Sequence, residues 1–222
     1  MSPAAKRISI RARMVLSVIL LGICLALMIL YHVRTNRPAP YAPDGSLVAR
    51  SQPTLPATTR PVLHAMTDFA MTNTAGRVIR LADLRGKVWL GNVFFSTCPT
   101  ICPPMTRRLA DIFGSFKDQP DFAMASFSVD PATDTPEVLA RFAAKYDADT
   151  NRWHFLTAPP AAIAKVARDG LRLGAPENIM NHSSYLVLID RNGKVRGYFD
   201  AFDAPSQARL EASLRQLLSG EE

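Results

Sequence analysis

Cysteine is scarce in this 222-residue chain, which holds three: Cys24, Cys98 and Cys102. A disulfide-stapled scaffold would bring more, so the fold must rest on a hydrophobic core, and a composition 48% hydrophobic and 20% charged can supply one. Acidic residues are nearly missing from one part of the chain only. Residues 1–60 hold eight Lys and Arg against the single acid Asp44, leaving 18 basic and 18 acidic residues in 61–222. The net charge of +7 therefore belongs to the N-terminal part, which argues for a membrane anchor and against nucleic acid as partner. No internal repeat is present, which excludes a repeat array.

Charge is absent altogether from Met14 to Val33, MVLSVILLGICLALMILYHV, about 20 residues, enough to cross the hydrocarbon core as a helix. Lys6, Arg7, Arg11 and Arg13 precede it with no acid among them, while Arg34 and Arg37 follow. The positive-inside rule then predicts a basic cytoplasmic segment over 1–13, a single transmembrane anchor over 14–33 in an inner, cytoplasmic-type membrane, and the rest on the periplasmic or equivalent side. The apolar run is long for a signal-peptide core and no clear A-x-A site follows, so the anchor is expected to stay uncleaved, with Ala39-Pro40-Tyr41-Ala42 the candidate for cleavage. Cys24 follows Ile23 where lipoprotein processing needs a small residue, and it reads as a lipid-facing or packing cysteine. Residues 34–62 are rich in Pro, Ala and Thr without hydrophobic period and read as a semi-extended tether to a domain over 63–222.

The domain is organised around Cys98-Pro99-Thr100-Ile101-Cys102-Pro103. Val88 to Phe95 precedes it as an apolar run without alternation, suited to a strand buried on both faces. Met105, Leu109, Ile112, Phe113 and Phe116 follow at helical spacing, with Pro103 and Pro104 tolerated only in a first turn, where backbone donors are still unpaired. Strand, cysteines, helix is the order. The N-terminal end of a helix favours thiolate, which is both nucleophile and metal ligand, so these two thiols are read as reactive rather than as buried structural cysteines. Because Cys102 precedes proline, the pair is also compatible with a turn leading into the helix. Only this pair is available to the domain, in a compartment where thiols oxidise, which points to redox or metal chemistry.

Around this centre the pattern predicts a hairpin within Asp68–Leu84, a strand from Phe122 to Val129, and a helix opened by Asp134-Thr135-Pro136-Glu137, with Asp134 favoured as its cap. A third helix is expected over Pro160–Arg168, ending at Asp169-Gly170. Asn192-Gly193 between two apolar runs predicts a hairpin, and Leu210, Leu214, Leu217 and Leu218 a last helix over Pro205–Leu218. Alternating strands and helices with reactive residues past a strand's carboxyl end describe an α/β layer sheet, and a vicinal cysteine pair there indicates a thioredoxin-like fold.

From about Asp68 to Leu218 the chain resembles the Sco/SenC family, membrane-anchored copper proteins involved in assembling the binuclear copper site of cytochrome c oxidase. The likeness rests on Cys98-Pro99-Thr100-Ile101-Cys102-Pro103, on Ser128-Val129-Asp130-Pro131-Ala132-Thr133-Asp134-Thr135-Pro136-Glu137, on Trp153-His154-Phe155-Leu156-Thr157 and on His182-Ser183-Ser184-Tyr185. It implies that Cys98, Cys102 and His182 are copper ligands, that the partner is a copper-accepting oxidase subunit, and that Asp130 and Asp134 could supply outer carboxylates. Two thiolates and one imidazole make a soft, low-coordinate site suited to Cu(I), and the histidine lets it accommodate Cu(II). The family usually has Asp where this chain has Asn181, and a missing charge beside a ligand alters affinity or preferred oxidation state. Of the other histidines, His32 belongs to the membrane end, His64 to the tether, and His154 to packing; Met105 falls on an apolar stripe and reads as core. The rival reading is a thiol-disulfide oxidoreductase, Cys98 attacking and Cys102 resolving, although the usual redox spacing in such folds is one residue shorter. A thiol reductase or another copper carrier is the further expected partner, and delivery itself would turn over no substrate.

Overall fold

The computed structural model describes residues 61–173 and 183–220, together with Gly22, Leu25, Ala26 and Met28, which are helical. Among the described residues no helix is long and apolar enough to cross a membrane. The remainder of the 14–33 run, including Cys24 and His32, lies outside them, as do the tether up to Arg60 and Asn181 with His182. The chain divides into two units, Met1–Leu55 and Pro56–Glu222, and the second carries the whole sheet.

Eight strands form that sheet: β1 (His64–Ala65), β2 (Ala70–Asn73), β3 (Val78–Arg80), β4 (Val88–Phe94), β5 (Phe122–Ser128), β6 (Trp153–Thr157), β7 (Tyr185–Ile189) and β8 (Lys194–Asp200). Their order across it is β1-β8-β7-β4-β5-β6-β2-β3. The helices are α1 (Cys102–Ser115) between β4 and β5, α2 (Pro136–Ala144) between β5 and β6, α3 (Pro160–Lys165) after β6, and α4 (Ala204–Ser219) after β8. β4, β5 and β6 are parallel, with Val88 opposite Phe122 and Met124 opposite Trp153, whereas β7 runs antiparallel to both β4 and β8. Each parallel crossover therefore consumes a helix, as the sequence pattern requires.

β4 and β5 are buried at every position, which explains the lack of alternation in their sequences. Val88, Leu90 and Phe94 face α1, α2 and α4, while Trp89 and Val93 face the other side, where Leu84, Ile163, Val166 and Leu171 cover the sheet. Burying a side chain of this size contributes roughly 1.5–3 kcal/mol. On that second side Gly91 sits so close to Leu171 that a Cβ would meet Cδ2 at 2.7 Å, so any larger residue in mid-strand would make the leucine side chain shift. Gly193 takes φ +72 in the β7–β8 turn, as the Asn-Gly signal predicts.

Four expectations change. Asp134 does not cap α2: Thr135 does, its Oγ1 accepting from Val138 N at 3.4 Å while its hydroxyl donates to Glu137. His64 is not tether but part of β1, paired with Val195 of β8. The helix foreseen over Pro160–Arg168 is α-helical only to Lys165 and then widens into a π-turn over Val166–Gly170, closed by Leu171 N to Val166 O at 2.7 Å. Trp153–Thr157, not foreseen as a strand, is β6.

Candidate functional site

β4 ends at Phe94, and the chain turns through Phe95–Ile101 into α1. Cys98 N donates to Phe95 O at 3.3 Å, closing a turn, and Cys102 is the first helical residue after Ile101, which has helical dihedrals and no side-chain cap. The sequence thus leaves one cysteine in the turn and puts the other on the helix. Pro103 and Pro104 come next and have no N–H, and Met105 N is already bonded to Ile101 O at 3.1 Å. The free donor of this helix end is Cys102 N, which points at Cys98 Sγ, 3.5 Å away.

The two thiols are unlinked and nearly buried, with 4% and 3% of their surface exposed, on the α1 side of the sheet. Their environments differ sharply. Burial alone would push the Cys98 thiol up, but backbone N–H groups of Cys102, Thr100 and Ile101, with the Cys102 thiol, outweigh it and bring the pKa down to about 7. Burial dominates at Cys102, and the neighbouring Cys98 and the Asp134 carboxylate add to it, so that pKa is pushed up to about 12 despite help from the Phe95 backbone. Thiolate chemistry near neutral pH therefore starts at Cys98.

Beneath the loop lies Asp134, favoured in the sequence as a helix cap and, by the family resemblance, open to a role as an outer carboxylate. Asp134 is fully buried and accepts hydrogen bonds from Ser96 N at 3.1 Å, from the Ser96 hydroxyl, and from Ser128 Oγ at 2.5 Å. Ser128 Oγ also accepts from Asp130 N at 3.1 Å. One carboxylate so joins the cysteine loop, the end of β5 and the approach to α2. Ser96 and Asp134 are 38 positions apart, and no local spacing announces their meeting.

Of the predicted site residues, Cys98 and Cys102 are brought together, while His182 lies outside the described residues. His154 is buried on the opposite sheet face, in register with Leu156; burial, aided by Lys87 and Arg77, holds it below the usual histidine range. His64 is tied at the sheet edge by Nε2 to Gly170 O at 2.9 Å. Met105 is fully buried in the core, as expected.

A mixed sheet flanked by helices, with a dithiol where the central parallel strand meets its helix, defines a thioredoxin-like protein. Residues 57–219 match the SCO1/SenC family model, and the chain belongs to that family. It is 35% identical over 141 residues to the SCO1 protein homolog of Bacillus subtilis (strain 168), covering 61% of this chain and 73% of the relative. Among solved structures it is similar to a SCO1/SenC family lipoprotein from Bacillus anthracis str. Ames, at 34% identity and TM-score 0.64 over 72% of this chain and 98% of that one. It is also similar, at 30% identity and TM-score 0.63 over the same shares, to BsSco, a member of the Sco family of cytochrome c oxidase assembly proteins in which a disulfide switch was identified.

Proposed function

We propose that this chain is a membrane-anchored copper metallochaperone that helps assemble the binuclear copper site of cytochrome c oxidase, holding copper through Cys98, Cys102 and His182. The observation that carries the reading is the pair of unlinked thiols in one short loop, with Cys102 N 3.5 Å from Cys98 Sγ. Two adjacent soft sulfur donors fit Cu(I) better than a hard cation, and a third nitrogen ligand extends the site to Cu(II). Membership of the SCO1/SenC family supports the same conclusion. Copper is cargo: it arrives from another carrier, is held by the thiolates, and leaves by ligand exchange to the copper-accepting oxidase subunit. The 14–33 segment anchors the domain on the periplasmic side and the 34–62 tether gives it reach. Asn181, in place of the family's usual Asp, removes a negative neighbour of His182 and tunes the site.

The test is the amount and affinity of Cu(I) bound by the reduced protein against a competing chelator. The native chain binds one ion tightly, Cys98→Ser and Cys102→Ser abolish binding, and His182→Ala loses most of the affinity. A His182→Ala protein that binds like the native one removes His182 from the ligand set.

A second reading is favoured by one observation, the unequal thiols, about 7 against about 12. As a thiol-disulfide oxidoreductase of the oxidase cysteines, the Cys98 thiolate attacks a target disulfide, forms a mixed disulfide and expels one target thiolate. Cys102 then gives up its proton and attacks the Cys98 sulfur, releasing the second target sulfur as thiol. The protein ends as the Cys98–Cys102 disulfide, which a separate thiol reductase returns to the dithiol. Under this reading reduction of a target disulfide persists in His182→Ala, whereas copper delivery does not.

A further inference from the structure

We propose that Asp134 is the positioning residue of the dithiol, acting through Ser96 to fix the cysteine loop on the end of β5. The proposal deepens the function above and rests on Cys98 and Cys102 being its working pair. Three observations lead to it. Asp134 is fully buried, yet among the described residues no Lys, Arg or His forms an ion pair with it. A buried carboxylate in that position must be held by hydrogen bonds, and both oxygens are engaged. Oδ1 takes the Ser96 hydroxyl, and Oδ2 takes Ser96 N at 3.1 Å and Ser128 Oγ at 2.5 Å.

The donors come from two elements that would otherwise end freely. Ser96 lies two residues before Cys98, in the turn closed by Cys98 N to Phe95 O, and Ser128 is the last residue of β5. Val129 N adds a backbone bond to Phe94 O at 2.9 Å, so the starts of the two loops run side by side. Asp134 is in turn fixed by its own N–H, which donates to Asp130 O at 2.8 Å. The cysteine turn therefore has a floor made by a residue from another crossover. Neither sulfur touches Asp134 by hydrogen bond among the described residues, so its mechanical hold on the pair passes through Ser96, beside the small through-space push it gives the Cys102 thiol.

The hydrogen-bond chemistry distinguishes the acid from its amide. Ser96 N can only donate and Ser128 Oγ already accepts from Asp130 N, so both need acceptors at Asp134. An asparagine offers one acceptor oxygen, and its amide N–H groups would confront a serine hydroxyl left without a partner for its proton. Ser96→Ala removes the hydroxyl bond to Asp134 and leaves the backbone N–H bond, without altering charge, and Ser96→Thr keeps the hydroxyl.

The experiment is redox equilibration of the metal-free full chain with glutathione. Two electrons and two protons pass from the Cys98 and Cys102 thiols to glutathione disulfide, giving the protein disulfide and two glutathione thiols, and the constant reports how the loop poises the pair. Ser96→Ala and Asp134→Asn are expected to shift this constant at least about threefold in the same direction, and Ser96→Thr to restore the native value. Thermal midpoints recorded in parallel identify any variant that has lost the fold, and Ser96→Ala, at a half-buried position, serves where Asp134→Asn does not fold. A native constant in a folded Ser96→Ala protein overturns the proposal. So does equal displacement by Ser96→Ala and Ser96→Thr. Because no copper is used, the result stands apart from the chaperone reading, whose failure would appear only as absent Cu(I) binding.

Discussion

Two aspartates are buried in this domain, at opposite ends of the sheet, and they solve the same problem in different ways. Asp190 closes the β7–β8 turn, with Oδ1 accepting from Asn192 N and Lys194 N, both at 2.9 Å, and Oδ2 paired with Arg196 at 2.9 Å. Asp134 gathers the cysteine loop with hydroxyl and amide donors and, among the described residues, no cation. At the hairpin the carboxylate is matched by a cation from the adjoining strand. At the cysteine end burial first, and then Cys98, push the Cys102 thiol up, and the Asp134 carboxylate adds to them. One carboxylate is matched by a cation, while the other is held, among the described residues, by hydroxyl and amide donors alone.

The largest test of that contrast is at the hairpin. Asp190→Ala removes the carboxylate that is ion-paired with the buried Arg196, and a loss of about 3–5 kcal/mol is expected in urea denaturation. Asp134→Ala strands serine and amide donors but no opposite charge, so a smaller loss, about 1–3 kcal/mol, is expected by the same measurement. Equal losses would erase the distinction between the two carboxylates.

The cysteine end is sharpened further by alkylation of the metal-free reduced protein. Cys98, brought down to about 7, gains thiolate as the pH rises through neutrality, and its iodoacetamide rate should level off near pH 8. Cys102, pushed up to about 12, should react at least about tenfold more slowly at pH 8, as read by peptide mass spectrometry. The linkage signs are opposite. The depressed Cys98 pKa makes stability rise with pH between about 7 and the unfolded value of 9.0, and the raised Cys102 pKa makes it fall above 9.0. The smallest effect belongs to a cap near Asp134: Thr135→Ala removes the bond to Val138 N and should cost about 1 kcal/mol without changing thiol reactivity.

Much of this was legible in the sequence because its causes are local. The unbroken apolar run of β4, the helical stripe of α1, the Asn192-Gly193 turn and the leucines of α4 each announce themselves within one element. What was not legible is non-local. Asp134 offers a plausible cap pattern beside Thr135, and only the folding of Ser96 onto it, from 38 residues away, shows where its oxygens go. His64 joins the sheet through a two-residue pairing with β8 that no periodicity can mark. β6 is buried on both faces and only five residues long, so its sequence has neither alternation nor length to distinguish it. The π-turn after α3 keeps a helical composition while changing the hydrogen-bond step.

The two prolines of α1 have a consequence for selectivity against the small ions of the surrounding solution. A helix beginning normally offers several amides to whatever anion is at hand, phosphate or chloride included. Here Pro103 and Pro104 offer none, Met105 N is taken, and Cys102 N faces the Cys98 sulfur. Among the described residues this helix end therefore offers inorganic anions no open amide, and it addresses a single sulfur of its own chain. Thiol behaviour should accordingly be almost indifferent to whether the buffer is phosphate, chloride or neither.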